Sequence, residues 1–395
     1  MGVEFAERMK FMKASEIREL LKVTEQPEVI SFAGGLPAPE LFPVDALREI
    51  TARVLGESGR QALQYSTTEG FKPLRERIAE RMNRKYGTRL TCNHLLITSG
   101  SQQGLDFSGK VFLNEGDVVL CESPTYLGAI NAFAAYRPKM LEVPTDDRGM
   151  LPDELERILD STANVRLIYV IPDFQNPSGR TWSPERRRRF MEIVGGRNIP
   201  VLEDAPYTEL RFEGDMLPPL KSFDTRGIVI YLGTFSKVFC PGMRIGWVAA
   251  EEGILEKYIL VKQGADLHSS SLTQRSIAMY METHDLDADV DRLREAYKSR
   301  RDAMLSAMEA EFPGNVKYTH PGGGLFTWVE LPEGTDSCKL LEEALKFNVA
   351  FVPGASFFPN GGGRNTLRLN FSNMPEDRIR EGIKRLGQII KAELV

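Results

Sequence analysis

One lysine stands in a setting suited to covalent chemistry. It lies in Thr234-Phe235-Ser236-Lys237-Val238-Phe239-Cys240-Pro241-Gly242-Met243-Arg244-Ile245-Gly246, between two apolar, strand-like runs. An amine held among apolar flanks and near other cations loses its charge more readily than one in water, and the neutral amine suits Schiff-base chemistry. Arg244, in the same loop, adds a permanent planar charge that matches phosphate. On an open loop the same lysine would be no more than a surface charge. Its strand-loop-strand setting argues against that reading.

A second segment, Leu96-Ile97-Thr98-Ser99-Gly100-Ser101-Gln102-Gln103-Gly104, runs from a strand through small residues into an apolar helix beginning near Gln102. Free backbone N–H groups and the positive end of the helix dipole face such a turn, and Ser101 adds a hydroxyl. The segment lacks both the lysine of a P-loop and the GxGxxG of a dinucleotide fold, so a phosphate bound here is a small monoester. In isolation the composition fits a plain turn equally well.

Two further strand ends carry polar groups. Pro200-Val201-Leu202-Glu203-Asp204-Ala205-Pro206-Tyr207 brings two acids out of a buried strand, with a tyrosine just beyond. A carboxylate in that place is costly unless it faces a cation, and only one of two adjacent strand residues can face the site. Ile171-Pro172-Asp173-Phe174-Gln175-Asn176-Pro177-Ser178-Gly179 offers Asn176 as a hydrogen-bonding group, although NPxG by itself is a turn. Together with Ser123-Pro124-Thr125-Tyr126, these segments all fall at the carboxyl ends of successive predicted strands, where open α/β sheets place ligands. A ring with a phosphate for the turn, an aldehyde for the lysine and a basic nitrogen for a carboxylate satisfies every group at once. Pyridoxal 5'-phosphate has those three handles.

The elements that position these groups are readable as alternation. Strands are predicted at His94–Thr98, Asp117–Glu122, Arg166–Ile171, Ile199–Glu203, Ile228–Leu232 and Ile245–Ala249, separated by stretches of helical period. That pattern predicts an α/β fold with a mainly parallel sheet covered by helices. Ser183-Pro184-Glu185 reads as a helix start, and the following run Arg186 to Arg189 as a solvated helical face rather than a nucleic-acid patch. Beyond about residue 285 the texture changes to a long charged helix, Asp287–Glu311, then strands at Leu325–Leu331, Ala350–Val352 and Leu367–Phe371 and a closing helix. This predicts a smaller α+β domain. The glycine runs Gly322–Gly324 and Gly361–Gly363 read as tight turns.

The 395 residues carry 50 Lys+Arg against 55 Asp+Glu, and this slight acidic excess gives no general attraction to nucleic acid or anionic lipid. Four scattered cysteines (Cys92, Cys121, Cys240, Cys338) and four histidines form no disulfide framework and no zinc spacing, so a reducing cytoplasmic setting without a metal is expected. The N-terminal stretch has no long apolar core, Ala6 occupies the Ser/Thr position of a myristoylation signal, and no apolar run approaches the ~20 residues that span a bilayer.

On these residues the chain resembles the fold type I pyridoxal-phosphate aminotransferases, especially the branch of the 2-aminoadipate and kynurenine aminotransferases. The resemblance covers nearly the whole chain. It is carried by Ser31-Phe32-Ala33-Gly34-Gly35-Leu36-Pro37, Gln64-Tyr65-Ser66, Ser99-Gly100-Ser101-Gln102-Gln103, Gln175-Asn176-Pro177-Ser178-Gly179, Ser236-Lys237 with Arg244, and Thr366-Leu367-Arg368. It implies a large domain, 46–285, with a mainly parallel seven-stranded type of sheet, a small α+β domain, 286–395, and an N-terminal segment, 1–45, packing with the latter.

By the same resemblance Lys237 would carry the cofactor as a Schiff base and shuttle the substrate proton. Asp204 would pair with the pyridine nitrogen, Asn176 and Tyr207 would bond the phenolic oxygen, and Tyr126 would lie over the ring. Ser101, Gln102, Thr234, Ser236 and Arg244 would cradle the phosphate, with Tyr65 reaching the phosphate of the other subunit in a homodimer. Arg368 would hold the substrate α-carboxylate, for which a guanidinium fork is the natural partner. Gly34 and Gly35 would let the N-terminal segment close over substrate. Arg18, on a short helix over Ser15–Lys22, would meet a distal carboxylate; on such a charged stretch it also fits a solvated face. The implied reaction moves the amino group of an amino-acid donor to a 2-oxo-acid acceptor, 2-oxoglutarate. A lyase on the same scaffold is the rival enzyme. The rival from another class is a transcription regulator with an aminotransferase-like effector domain, for whose winged module the chain is expected to have no room.

Overall fold

The computed structural model describes residues 3–12 and 28–394. A first short strand, β1 (Ile30–Ser31), precedes eight strands that form one sheet: β2 (Leu95–Thr98), β3 (Val118–Ser123), β4 (Lys139–Asp146), β5 (Gly149–Met150), β6 (Val165–Val170), β7 (Val201–Asp204), β8 (Val229–Thr234) and β9 (Gly246–Ala249). Their spatial order is β2-β9-β8-β7-β6-β3-β4-β5. The β3–β4, β3–β6, β6–β7 and β7–β8 pairs are parallel; β9 runs against both its neighbours, and β5 against β4. The six predicted strands are present to within two residues at each end. Beta-branched and leucine-rich runs such as VIYLGT and VLED are buried throughout, as strands covered by helices on both faces must be.

β4 is the strand the sequence pattern does not reveal. Its run KMLEVPTD is mostly half-exposed and interrupted by Glu142 and Pro144, because it lies toward the sheet edge. With β4 and the two-residue β5 the sheet has eight strands rather than seven.

The helix Pro184–Gly195 starts as expected, with Ser183 Oγ accepting from Arg186 N at 3.2 Å. Its arginine run is not a uniformly solvated face. Arg188 and Arg189 are exposed, but Arg187 is fully buried, its Nη2 2.6 Å from Asp173 Oδ1, and Arg186 grips Asp146. The inward face of that helix meets a buried acid, and a buried acid needs a cation.

The long helix Leu286–Glu311 leads into a four-stranded antiparallel sheet of order β10-β11-β14-β13, built from β10 (Lys317–Tyr318), β11 (Phe326–Glu330), β13 (Val352–Pro353) and β14 (Thr366–Asn370). The single strand expected over Ala350–Val352 is divided. β12 (Val349–Ala350) pairs in parallel with β1, and only β13 joins the larger sheet. Helix Glu376–Glu393 closes the chain against Leu286–Glu311.

Among the described residues no helix is long and apolar enough to cross a membrane, and no cluster of His, Cys, Asp and Glu is arranged to hold a metal ion.

Candidate active site

β2, β3, β6, β7 and β8 all end at the same edge of the sheet. Because β9 runs the other way, its amino end lies at that edge too, which is how Arg244 comes to stand among strand carboxyl ends. Thr98 and Thr234 both register opposite Gly246, so three strand ends meet at one point. A Cβ at Gly246 would come within 2.8 Å of Ser101 N and of Gly100 C. Only glycine leaves room there for the turn that starts the helix Ser101–Phe112. Gly100 itself has φ +75°, and a side chain on it would strike the Arg244 guanidinium.

These elements surround an open cleft of about 770 Å³. Of the sequence-predicted residues, Gly35, Ser101, Gln102, Tyr126, Asn176, Asp204, Tyr207, Thr234, Ser236, Lys237, Arg244 and Arg368 line it. Gly34 is buried beside it without lining it. Tyr65 lies outside, 79% exposed, with its ring edge-on to His268. Arg18 lies outside the described residues.

At one end of the cleft is an anion cradle. Arg244 donates to Ser99 O at 3.1 Å and Ser236 Oγ at 3.4 Å, and Thr234 Oγ1 donates to Ser236 Oγ at 3.0 Å. The first turn of helix Ser101–Phe112 presents its N–H groups beside them. At the other end Arg368, on β14, is 2% exposed. It donates to Asn176 Oδ1 at 2.7 Å and Ala33 O at 2.5 Å and is stacked over Phe326. Its Nε has no partner among the described residues. Asn176 Nδ2 in turn reaches the Tyr207 hydroxyl at 3.4 Å.

Between the ends stand Lys237 and Asp204. Lys237 Nζ donates to Gly35 O at 2.7 Å. Burial, then the cations Arg368 and Arg244, bring its amine down to about 8, against the opposing pull of Asp204. A lysine that gives up its proton this close to neutrality is available both as a nucleophile and as a base. Asp204 is 2% exposed, and burial pushes its carboxyl up to about 7. Its strand neighbour Glu203 faces the other way and accepts from Leu220 N and Lys221 N, so one acid of the pair serves the cleft and the other a helix start.

The sequence profile described as "Aminotransferase class I and II" matches residues 28–386. The chain belongs to that family. It is 48% identical to the aromatic-amino-acid aminotransferase 1 of Thermococcus litoralis over 394 residues, 99% of this chain and 94% of the relative. To the 2-aminoadipate transaminase of Thermus thermophilus it is 46% identical over 386 residues, covering 97% and 95%. A solved kynurenine aminotransferase of Pyrococcus horikoshii, in complex with PMP, superposes with a TM-score of 0.95 at 44% identity, covering 99% of this chain and 98% of that one.

In this aminotransferase, side chains whose roles the motifs did not single out support the residues that line the cleft. Tyr169, inside β6, donates to Asp204 Oδ2 at 3.0 Å. Glu122 on β3 accepts from Ile171 N at 2.9 Å and Trp182 Nε1 at 2.8 Å, clamping both ends of the excursion that carries Asn176. Gln175 then pins the excursion's middle to Pro124 O at 2.7 Å. Phe326 underlies Arg368 and meets Tyr207 edge-on. An acid within an otherwise apolar strand run, Glu122, was the available signal: buried, it needs partners.

Proposed function

We propose that this aminotransferase moves the amino group of an L-amino acid, with 2-aminoadipate, glutamate, leucine and aromatic donors as candidates, to 2-oxoglutarate by a ping-pong mechanism through Lys237, using pyridoxal 5'-phosphate. One observation carries the reading: a lysine amine near neutrality, a buried carboxylate with an unpartnered oxygen, an anion cradle and a stacked arginine converge on one cleft. The residues fit the cofactor. Asp204 Oδ1 is a buried acceptor with no partner among the described residues, which a protonated ring nitrogen would satisfy, and the cradle is open to a phosphate because residues 100 and 246 are glycine.

Bound there, the cofactor supplies an electron sink for the pair left behind when the substrate Cα loses its proton. Lys237 Nζ would anchor it and, as a free amine, would take and return that proton. Asp204 keeps the ring nitrogen protonated; Asn176 and Tyr207 hold the phenolic oxygen; Tyr126 covers the ring face. Ser101, Gln102, Thr234, Ser236 and Arg244 hold the phosphate. Arg368 stays cationic at neutral pH although burial lowers it to about 10, and its free Nε leaves donor capacity for the substrate α-carboxylate. Gly34 and Gly35 give the N-terminal segment its hinge, and Arg18 reads a distal carboxylate.

In this reading segment 1–45 works with the small domain, 286–395, as β1–β12 pairing supports, and closes on the large domain, 46–285. The working unit is a cytoplasmic homodimer, with the exposed Tyr65 contributed across the interface. The test is stoichiometric: the loaded protein incubated with glutamate releases one 2-oxoglutarate per site and is left in its amine form. Release of carbon dioxide with the decarboxylated amine, no 2-oxoglutarate and no amine form of the cofactor, would instead make it a decarboxylating lyase.

A further inference from the structure

Asp204 ends β7, and its two oxygens are not alike. Oδ2 accepts a hydrogen bond from the Tyr169 hydroxyl at 3.0 Å, while Oδ1 is buried with no hydrogen-bond partner among the described residues. Tyr169 comes from the neighbouring strand β6, in register with Leu202 on one side and Cys121 on the other. It is fully buried, its ring edge-on to Phe133 at 6.1 Å. Two flanking strands and a ring contact thus fix the place of the hydroxyl. That packing requires only a phenyl ring; the hydroxyl adds the hydrogen bond to Asp204.

We propose that Tyr169 is a positioning residue for the reaction: by holding Oδ2 it sets the rotation of the Asp204 carboxylate, so that Oδ1 is the oxygen offered to the ring nitrogen of the cofactor. This rests on the cleft being a pyridoxal-phosphate site.

The same hydrogen bond has an electrostatic effect. Burial raises the Asp204 carboxyl; the Tyr169 hydrogen bond and then the attraction of Lys237 act against the rise. Tyr207 also faces Asp204, Arg368 and Arg244 lie beyond Lys237, and Tyr126 and Glu122 act on the Tyr169 phenol. Burial drives the Tyr169 phenol well above its ordinary value, so it remains a neutral donor. Without it Oδ2 has no donor, and the carboxyl holds its proton to higher pH. A carboxyl that holds its proton is no counter-charge for a protonated ring.

The experiment is a binding titration, independent of turnover. Cofactor-free wild type, Tyr169→Phe, Asp204→Asn and the double variant are titrated with pyridoxal 5'-phosphate from about pH 5 to about pH 9, spanning the range in which a raised carboxyl and a lowered lysine ionise. Binding is followed by quenching of protein fluorescence. Tyr169→Phe is expected to bind about tenfold more weakly near neutrality, with the acidic limb of its profile about one pH unit higher. On the Asp204→Asn background the same change is expected to cost nothing further.

An unmoved limb in Tyr169→Phe, or an equal loss with and without Asp204, overturns the proposal. Should Tyr169→Phe not fold, 3-fluorotyrosine at position 169 keeps the shape and strengthens the donor: the limb then moves to lower pH, and an unmoved limb again overturns the proposal. Wild type that fails to bind pyridoxal phosphate at all overturns the site reading, and this proposal with it.

Discussion

At the scale of single residues, the working parts are two buried groups whose charges are made unstable. Lys237 is brought down to about 8 by burial, Arg368 and Arg244. The neutral amine is the reactive form, so capture of pyridoxal phosphate by the cofactor-free protein is expected to speed up as pH rises through about 8 and then level off. Arg368→Gln removes a cation that disfavours the ammonium, so the lysine moves back toward its ordinary 10.5 and the midpoint shifts upward. Stopped-flow absorbance across pH measures both; a midpoint unchanged by Arg368→Gln would remove that arginine from the lysine's electrostatics. Lys237, Asp204, Arg244 and Arg368 were legible in the sequence because each stands at a strand end or inside an apolar run, where a charge without a purpose is expensive; Asn176 was legible only through the family resemblance of its motif. Tyr169 was not, because a tyrosine in a buried strand is ordinary until its hydroxyl is seen to have a partner.

At the scale of elements, the site is only as firm as the loop that carries Asn176. Glu122 and Gln175 clamp it, and the residue at its entry, Asp173, is held by Arg187, Arg211 and Thr208. Arg187→Leu leaves a buried carboxylate with a weakened set of partners. It is expected to cost about 3 kcal/mol in a urea denaturation series; a loss below about 0.5 kcal/mol, the size of a surface substitution, would mean the pair does not hold the loop.

Glu203 gives an opposite handle. Burial raises it from 4.5 to about 7, so in the fold it keeps a proton that the unfolded chain has released. Its contribution to stability is therefore full below pH 4.5 and lost as pH rises through 7. Glu203→Gln, which cannot titrate, should flatten that part of the stability profile in thermal melts of the cofactor-free protein; an unchanged slope would contradict the assignment. Strand positions were legible because short apolar runs bounded by turn residues have few other uses. The direction of β9 and the presence of β4 were not: pairing partners are a property of the assembled sheet, and an edge strand with a proline and an acid carries no clear period.

At the scale of the molecule, the sheet edge, Gly35 and Arg368 on β14 line one cleft, and the remaining claim concerns a second copy. Tyr65, 79% exposed and outside the cleft, belongs to the proposed homodimer. If it completes the neighbouring site, Tyr65→Ala and Lys237→Ala proteins, each nearly inactive alone, recover activity when mixed and allowed to exchange subunits, because a mixed dimer contains one intact site. Sedimentation should show dimers for both. Failure to recover activity despite exchange would confine each site to a single chain.

The whole account depends on the amine of Lys237 being the group that captures the cofactor. Cofactor-free protein loaded with pyridoxal 5'-phosphate, reduced with borohydride, digested and read by mass spectrometry is expected to carry one phosphopyridoxyl group, on the peptide containing Lys237, and Lys237→Ala is expected to carry none while still binding the cofactor loosely. A label on another lysine, or an undiminished label in Lys237→Ala, would contradict it.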